Sequence, residues 1–452
     1  MKVLHVPYCF RPDTVGGTEV YVEALAREQQ RRGLEVAVAA PGPTTSDYRL
    51  DGLAVRRFAT ATDATVSVLY GAGDPVASAA FARVVHDERP DVVHLHAFTS
   101  AVSVLTAHAA RQQGARLVFT YHTPTVSCQR GTLLRWGRQV CDGRLRARTC
   151  SACGLHGAGV LWPASLALAG VPARVGIGLG RLGLAGGAWT GLRMTDLVQQ
   201  RHAAVRRFLQ QMDHVVVVCG WAGDLLLGNG VPAEKLTLSR HGLPPRPAGG
   251  VARPAGPGAR RDALRVAYVG RLDPTKGVDV LVRAVRALPS ADVELHVFGL
   301  VQGAAATAYQ RSIRALAADD RRIQFGAPVP SDAVPALLAG YDVLAVPSRW
   351  LETGPLVVLE AFQAGVPVVG SRVGGIGELV HDGEDGLLVT PGSAADWSAA
   401  LRRLAGDPQL VQRLRRGVRP PRSIAAVADD MDTVYHRALN AGSRTLADAP
   451  PR

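Results

Sequence analysis

Residues 342–371 read DVLAVPSRWLETGPLVVLEAFQAGVPVVGS. DVLAVPS is an apolar run of strand length. LVVLEAFQAG has the length and residue types of a helix that stops at Gly365, and PVVGS is again strand-like. Strand, helix and strand within one such span make a βαβ unit, the building block of a parallel sheet with helices on its faces. Gly354 is an acceptable N-cap and Pro355 suits the first helical position, so the helix is expected to begin there. Glu352 then falls in the connecting loop and Glu360 in the second turn of the helix. Two readings stand side by side. In one, Glu352 is solvated and Glu360 merely helical. In the other, both reach a common crevice at a phosphate-attracting helix N-terminus, where paired carboxylates accept hydrogen bonds from a polyhydroxylated ligand.

The same alternation extends in both directions. Toward the C-terminus the last clear helical pattern is RSIAAVADDMDTVYHRALNAG, in which the DMD of residues 430–432 reads as a solvated face. Upstream come LRVAYVG, VDVLVRAVRAL, VELHVFG, AYQRSIRALAA, IQFGA and AVPALLAGY, alternating strand and helix. Before them, GLPPRPAGGVARPAGPGARRDA is rich in Pro, Gly and Arg and lacks periodicity, which marks a linker. The N-terminal half alternates again: KVLHVPY, GTEVYVEALAREQQRRG, LEVAVAAPG, DVVHLHA, RLVFTYHTP and RFLQQMDHVVVVCG. A chain of 452 residues exceeds what one core holds, so two domains are expected. The fold class is α/β, with two Rossmann-like doubly wound domains facing across a cleft. The expected boundaries are 1–245, a linker at 246–262, 263–420, and a final helix at 421–442. Ligands of such sheets bind outside the carboxyl ends of the strands.

The charged fraction of 20% against 47% hydrophobic residues excludes a disordered chain. Lys and Arg outnumber Asp and Glu by 51 to 38, so the net charge of +13 favours an anionic partner: nucleic acid, a phosphorylated substrate or an acidic membrane surface. The excess is mostly Arg in an Ala-rich chain, which biased codon usage also produces. MKVLHVPY reads as a strand and not as a targeting signal, so a cytoplasmic location is expected. Residues 159–192 are apolar and Gly-rich. Pro163, Pro172, Arg174 and Arg181 interrupt them, so they are read as irregular or short-helical and surface-seeking, not as a membrane span.

Several strand ends carry groups suited to phosphate. YVGRLDPTKGVDVLVRAV places Arg271 and Lys276 after a strand, with Gly277 opening a helix, a good seat for a diphosphate. PDTVGGTEVYVEAL sets Gly16 and Gly17 between strand and helix, where backbone amides approach a phosphate closely. VGGIGELVHDGEDGLLV adds a glycine-rich turn. His122 ends a strand in TYHTP, and His94 and His96 in VVHLHA are read as cleft-wall residues.

In this order, GGTEVYV, TYHTP, GRLDPTKG and ETGPLVVLEAFQAGVPVVGSRVGGIGEL resemble the family-four retaining glycosyltransferases with a GT-B fold, over nearly the whole chain. The resemblance implies a nucleotide-diphosphate sugar donor on the C-terminal domain and a glycan or lipid-linked acceptor on the N-terminal one, with no nucleic acid. The final helix is implied to return to the first domain. By position, Arg271 and Lys276 match the cations on the donor diphosphate, Glu352 the carboxylate on the donor sugar, and Glu360 the one on the ribose. Gly17, beside Gly16, matches the glycine near the phosphates, and His122 the histidine near the reacting sugar. Gly354, Pro355 and Leu356 fall on the donor side as the helix start. Catalysis is expected to involve His122, Arg271, Lys276 and Glu352 without a metal cofactor, because the cations stabilise the leaving charge. A nucleotide-sugar epimerase of the same fold and a non-catalytic sugar-nucleotide-binding protein are the alternatives.

CQRGTLLRWGRQVCDGRLRARTCSAC holds Cys128, Cys141, Cys150 and Cys153 within an insertion spanning about residues 125–192. Four thiolates suggest a structural zinc, and the neighbouring arginines are expected to ease thiolate formation. Free or redox-active thiols and disulfides are the other readings. Cys9 and Cys219 are read as small core residues. The basic, apolar insertion either meets an anionic membrane at its inner face or folds inward over its own domain.

Overall fold

The structure is a computed structural model that describes residues 1–13, 16–63, 65–245, 263–289 and 291–447, the last seven by backbone alone. The expected linker at 246–262 lies outside the described residues. The chain divides into two compact units, Met1–Arg240 with Ile424–Arg452, and His241–Ser423.

Eight of the first unit's strands form one sheet. They are β1 (Lys2–Val6), β2 (Glu35–Gly42), β3 (Ser46–Leu50), β4 (Leu53–Ala59), β5 (Val92–Leu95) and β6 (Arg116–Tyr121), followed, after the short ribbon β7 (Leu134–Arg135) and β8 (Gln139–Val140), by β9 (His214–Val217) and β10 (Leu236–Leu238). Their order is β10-β9-β6-β5-β1-β2-β4-β3, parallel throughout except where β3 runs antiparallel to β4. The order reverses between β1 and β5, which puts the switch point beside the carboxyl ends of those strands.

The final helix, Ile424–Ala447, belongs to this unit. Val427, Met431, Val434 and Tyr435 join Tyr21, Val22 and Leu25 of the helix Gly17–Arg31 and alternate valines of the sheet in one core. Arg32 locks the two helices together, donating to Asp429 at 2.7 Å, to Asp432 at 3.3 Å and to the Ala425 carbonyl at 2.7 Å. Residues 430–432 are therefore not a plain solvated face. Met431 is fully buried and Asp432 faces Arg32.

The second unit contains β11 (Leu264–Arg271), β12 (Val293–Leu300), β13 (Ile323–Gly326), β14 (Val343–Val346), β15 (Val368–Ser371) and β16 (Gly386–Val389), all parallel, in the order β13-β12-β11-β14-β15-β16. Successive side chains of a strand point to opposite faces, and both faces are covered here. Val266, Tyr268, Val343 and Ala345 pack in one core with the helices Val278–Arg286 and Ala394–Gly406, whereas Ala267, Leu344 and Val346 pack in another with the helix Leu356–Gln363. Continuous apolar strands such as VLAV follow from that double burial. The order reverses between β11 and β14, so the loops after these two strands lie side by side.

The helix of the quoted stretch starts one residue later than its sequence suggests. Pro355 is the N-cap, with extended backbone at φ −66° and ψ 117°, and Leu356 is the first helical residue. Gly354 is already in the loop, where its carbonyl accepts from Nδ1 of the buried His241 at 2.9 Å. That contact fixes the backbone ahead of the helix and moves the start by one position.

Candidate active site at the carboxyl ends of the strands

In the second unit, the loop after β11 and the loop after β14 are joined by backbone. Arg349 N–H donates to the Thr275 carbonyl at 2.8 Å, and the Arg349 guanidinium reaches Asp279 at 2.7 Å. Gly277 turns the first loop with φ +69°, and a Cβ there would run into the Pro347 carbonyl, so both the turn and the close approach require glycine. This juxtaposition brings Lys276 to Glu352.

Glu352 is 6% exposed, and three donors converge on its Oε1: Lys276 Nζ at 2.6 Å, Ser348 Oγ at 2.7 Å and Trp350 Nε1 at 2.8 Å. Burial alone would raise its pKa. The Lys276 charge and the three hydrogen bonds outweigh that and hold it below the usual carboxylate range. The solvated reading of Glu352 is therefore overturned. The Lys276 ammonium also lies 5.4 Å from the centre of the Trp350 ring. From the next strand, Gly374 and Gly375 press on the same loop, with Gly375 N–H donating to the Glu352 carbonyl at 2.6 Å. Gly374 has φ +53°, and a Cβ would stand 2.8 Å from that carbonyl. The glycine-rich turn thus serves as a backing for the glutamate loop. Ser348 and Trp350 were visible in the quoted stretch as polar neighbours of Glu352, but only the fold shows that both aim at one oxygen.

Arg271 ends β11 with its side chain exposed. Glu360, in the second turn of its helix, is buried, and burial raises its pKa to about 7. The unit thus sets two carboxyls apart: one held ionised by a cation, the other poised near neutrality by desolvation.

The first unit gathers four histidines at the carboxyl ends of β1, β5 and β6. His94 and His96 are not cleft-wall residues. Both are buried, at 0% and 1% exposure. His5, which sequence reading passed over, pairs with His94 in the strand register and is equally buried. The Gln29 carbonyl oxygen accepts from His5 Nε2 at 2.8 Å, so His5 Nδ1 accepts from His96 Nε2 at 2.9 Å, and His96 Nδ1 accepts from His122 Nε2 at 3.1 Å. The Gln29 amide nitrogen donates to the Tyr435 hydroxyl at 3.3 Å, and His94 bridges that hydroxyl, 2.7 Å from its Nδ1, to the Thr120 hydroxyl, 2.7 Å from its Nε2. The Gln29 amide therefore sets the tautomers of His5 and His96, and its nitrogen ties His94 into the same network through Tyr435. Burial lowers His5 to about 4 and lowers His94 and His96 well below their usual value, so all three are neutral near pH 7. Nitrogens of His5, His94 and His96 lie within 4.8 Å of one another. Both nitrogens of each ring are engaged in these hydrogen bonds, which join the three rings into one buried network.

Gly16 caps the helix Gly17–Arg31, but its N–H donates to the Glu19 carboxylate at 2.8 Å. Of the glycine pair, the Gly16 amide is thus satisfied within its own helix turn. A recess of about 340 Å³ opens nearby, lined by Tyr8, Cys9, Asp13, Arg57 and Thr99 at the carboxyl ends of the strands. A larger one, about 610 Å³, lies among Lys2, Glu35 and Glu88 at the amino ends of β1 and β2, the end of the sheet away from ligand chemistry.

The four cysteines of the insertion are half-buried neighbours, but among the described residues no three of their sulfurs lie within 4.8 Å of one another. Burial pushes Cys150 up to about 11 and raises Cys141 as well, against the expected easing of thiolate formation by arginine. Cys128, Cys141 and Cys153 all lie close enough to Cys150 to act on its charge, so the four thiols form one cluster. Cys219 is buried as expected, whereas Cys9 is half-exposed beside Glu19.

Residues 16–153 match the glycosyl transferase 4-like domain, and residues 254–419 match the glycosyl transferases group 1. A D-inositol 3-phosphate glycosyltransferase of Acidothermus cellulolyticus is 30% identical over 424 residues, covering 92% of this chain and 82% of the relative. One from Corynebacterium aurimucosum is 36% identical over 184 residues, covering 39% of this chain. That match spans 43% of the relative's length, less than half of it. Among solved structures, Anabaena HepE with UDP and glucose is 18% identical, with a TM-score of 0.63 over 96% of this chain and 99% of that one. The sucrose-phosphate synthase of Thermosynechococcus elongatus is 19% identical, with a TM-score of 0.67 over 98% and 100%. With two doubly wound units, a lysine-paired glutamate at the switch point and relatives along the whole chain, the protein belongs to the family-four glycosyltransferases of GT-B fold.

Proposed function

We propose that this chain moves a sugar from a nucleotide-diphosphate donor to an acceptor hydroxyl with retention of anomeric configuration, in the synthesis of a polysaccharide or glycolipid. The observation that carries the proposal is the Lys276–Glu352 pair, largely withdrawn from solvent where the loops after β11 and β14 meet. In this reading Arg271 and Lys276 receive the donor diphosphate. The arriving phosphate draws Lys276 away from Glu352 and turns that carboxylate toward the sugar. Glu360, ionised, accepts from the ribose hydroxyls. As the bond from the anomeric carbon to the phosphate oxygen breaks, charge grows on the diphosphate beside the two cations. The acceptor oxygen bonds to the same face of that carbon, and its proton passes to the leaving phosphate. By the family resemblance His122, whose ring the network holds through His96, also takes part in the reaction.

This scheme asks nothing of a bound metal, because the cations supply the counter-charge. Similarity to D-inositol 3-phosphate glycosyltransferases supports a polyol phosphate among the acceptors to be tried, beside glycans and lipid-linked sugars. The test is incubation with radiolabelled UDP-, GDP- and ADP-sugars, with and without those acceptors. Transfer, or slow hydrolysis of one donor, is expected. Interconversion of the sugar without transfer would mark an epimerase, and tight binding with no turnover a binding protein; either result overturns the proposal.

A further inference from the structure

Seven of the fourteen exposed large apolar side chains among the described residues fall between positions 161 and 189. Six of them sit on two short helices, Trp162–Ala169 and Ala173–Arg181, and the residues flanking them, and the seventh, Trp189, lies in the first turn of the helix Gly187–Gln211. The first helix buries Ser165 and Ala169, one turn apart, and exposes Trp162 and Leu166, also one turn apart. The second buries Gly176 and exposes an arc with Arg174 and Arg181 at its middle, Ile177 on one side and Val175 and Leu182 on the other. Both are fastened to the long helix Gly187–Gln211: Thr195 donates to the Ala169 carbonyl at 3.2 Å and Arg193 to the Leu184 carbonyl at 2.9 Å. The Arg148 guanidinium lies beside Gly170, between the two. The apolar residues are thus held outward by packing and are not folded in over the domain.

The charge of this surface names its partner. Residues 143–195 contain six arginines and no aspartate or glutamate. A second copy of the chain would set arginine against arginine, so self-association is disfavoured. Among the described residues no helix is long and apolar enough to cross a membrane, and helices of 8 and 9 residues lie within an interface instead. Tryptophan, leucine and arginine together suit the boundary between head groups and acyl chains. We infer that the surface formed by residues 161–189 docks on an anionic lipid bilayer, with the arginines on the head groups and Trp162, Leu166 and Leu182 in the acyl boundary.

This inference rests on its own geometry and not on the transferase reading. The experiment is flotation of the full chain with vesicles of phosphatidylcholine alone and of phosphatidylcholine mixed with phosphatidylglycerol. The chain is expected to float with the mixed vesicles at low salt and to be released at about 1 M salt, where the Debye length falls to about 3 Å. Arg174→Gln with Arg181→Gln should weaken partition about thirtyfold, at about tenfold per 1.4 kcal/mol and about 1 kcal/mol per charge. Trp162→Ser with Leu166→Ser should weaken it too, while donor binding measured without vesicles stays unchanged in both variants. No flotation of the wild-type chain, equal flotation with neutral vesicles, or a wild-type dimer that both double variants make monomeric would each overturn the inference.

Discussion

Glu360 and Glu352 are the same residue type shifted in opposite directions from the ordinary carboxylate range, and each carries its own prediction. The Glu360 carboxyl titrates near 7 in the folded chain against an ordinary value of 4.5, so the folded state binds more protons between those limits. Its contribution to stability is complete below about pH 4.5 and lost as pH rises through about 7. Glu360→Gln should therefore stabilise the chain at about pH 8, by about 1–3 kcal/mol, while weakening donor binding through the ribose. Denaturant titration beside calorimetric binding checks both halves; a variant that binds normally contradicts the role given to Glu360. Lys276→Ala strands the Glu352 carboxylate, 6% exposed, and should cost about 3–5 kcal/mol of stability before any chemistry is measured. Arg271 is exposed, so Arg271→Ala should change stability by less than about 0.5 kcal/mol yet lower turnover about a hundredfold. A stable Arg271→Ala enzyme with unchanged kcat would remove that cation from the leaving-charge account.

At the scale of elements, the histidine network couples β1, β5, β6, the first helix and the final helix, and burial keeps its rings neutral. His5 is lowered from 6.5 to about 4, so the unfolded chain binds more protons in that window. The stability it contributes is present above about pH 6.5 and is lost as pH falls toward 4. The first unit should thus weaken on mild acidification, and Gln29→Leu, which leaves His5 Nε2 and the Tyr435 hydroxyl without their shared partner, should cost about 2 kcal/mol and steepen that loss. Unfolding followed from pH 8 to 5 checks it; a flat profile contradicts it. None of this network was legible in the chain, because His5, Gln29, His96 and His122 meet only once the sheet order sets β1 beside β5 and β5 beside β6. The strands themselves were legible, since two-sided burial writes itself as runs such as VLAV. The helix start at Pro355 was misread by one residue because His241, more than a hundred positions earlier, holds the Gly354 carbonyl. The cysteine spacing announced a cluster, and the fold brings Cys128, Cys141, Cys150 and Cys153 together as half-buried neighbours.

For the whole molecule, the account places the chemistry in the chain's own cations. Dialysis against a chelator should leave turnover within about twofold, because Arg271 and Lys276 meet the developing charge without a metal bridge. Strict dependence on added magnesium or manganese, with the fold intact, would contradict this. The family is fixed by relatives along the length of the chain, and the lysine-held glutamate at the switch point of the second unit is where that ancestry becomes a proposed donor site. Calorimetric titration of the full chain with UDP-, GDP- and ADP-sugars tests that claim most directly. One donor should bind, Arg271→Ala and Glu360→Gln should each weaken it at least about tenfold, and Trp162→Ser with Leu166→Ser should leave it unchanged. Equal affinity in the wild-type chain and in both site variants would contradict the assignment of the donor to the carboxyl ends of β11 and β14.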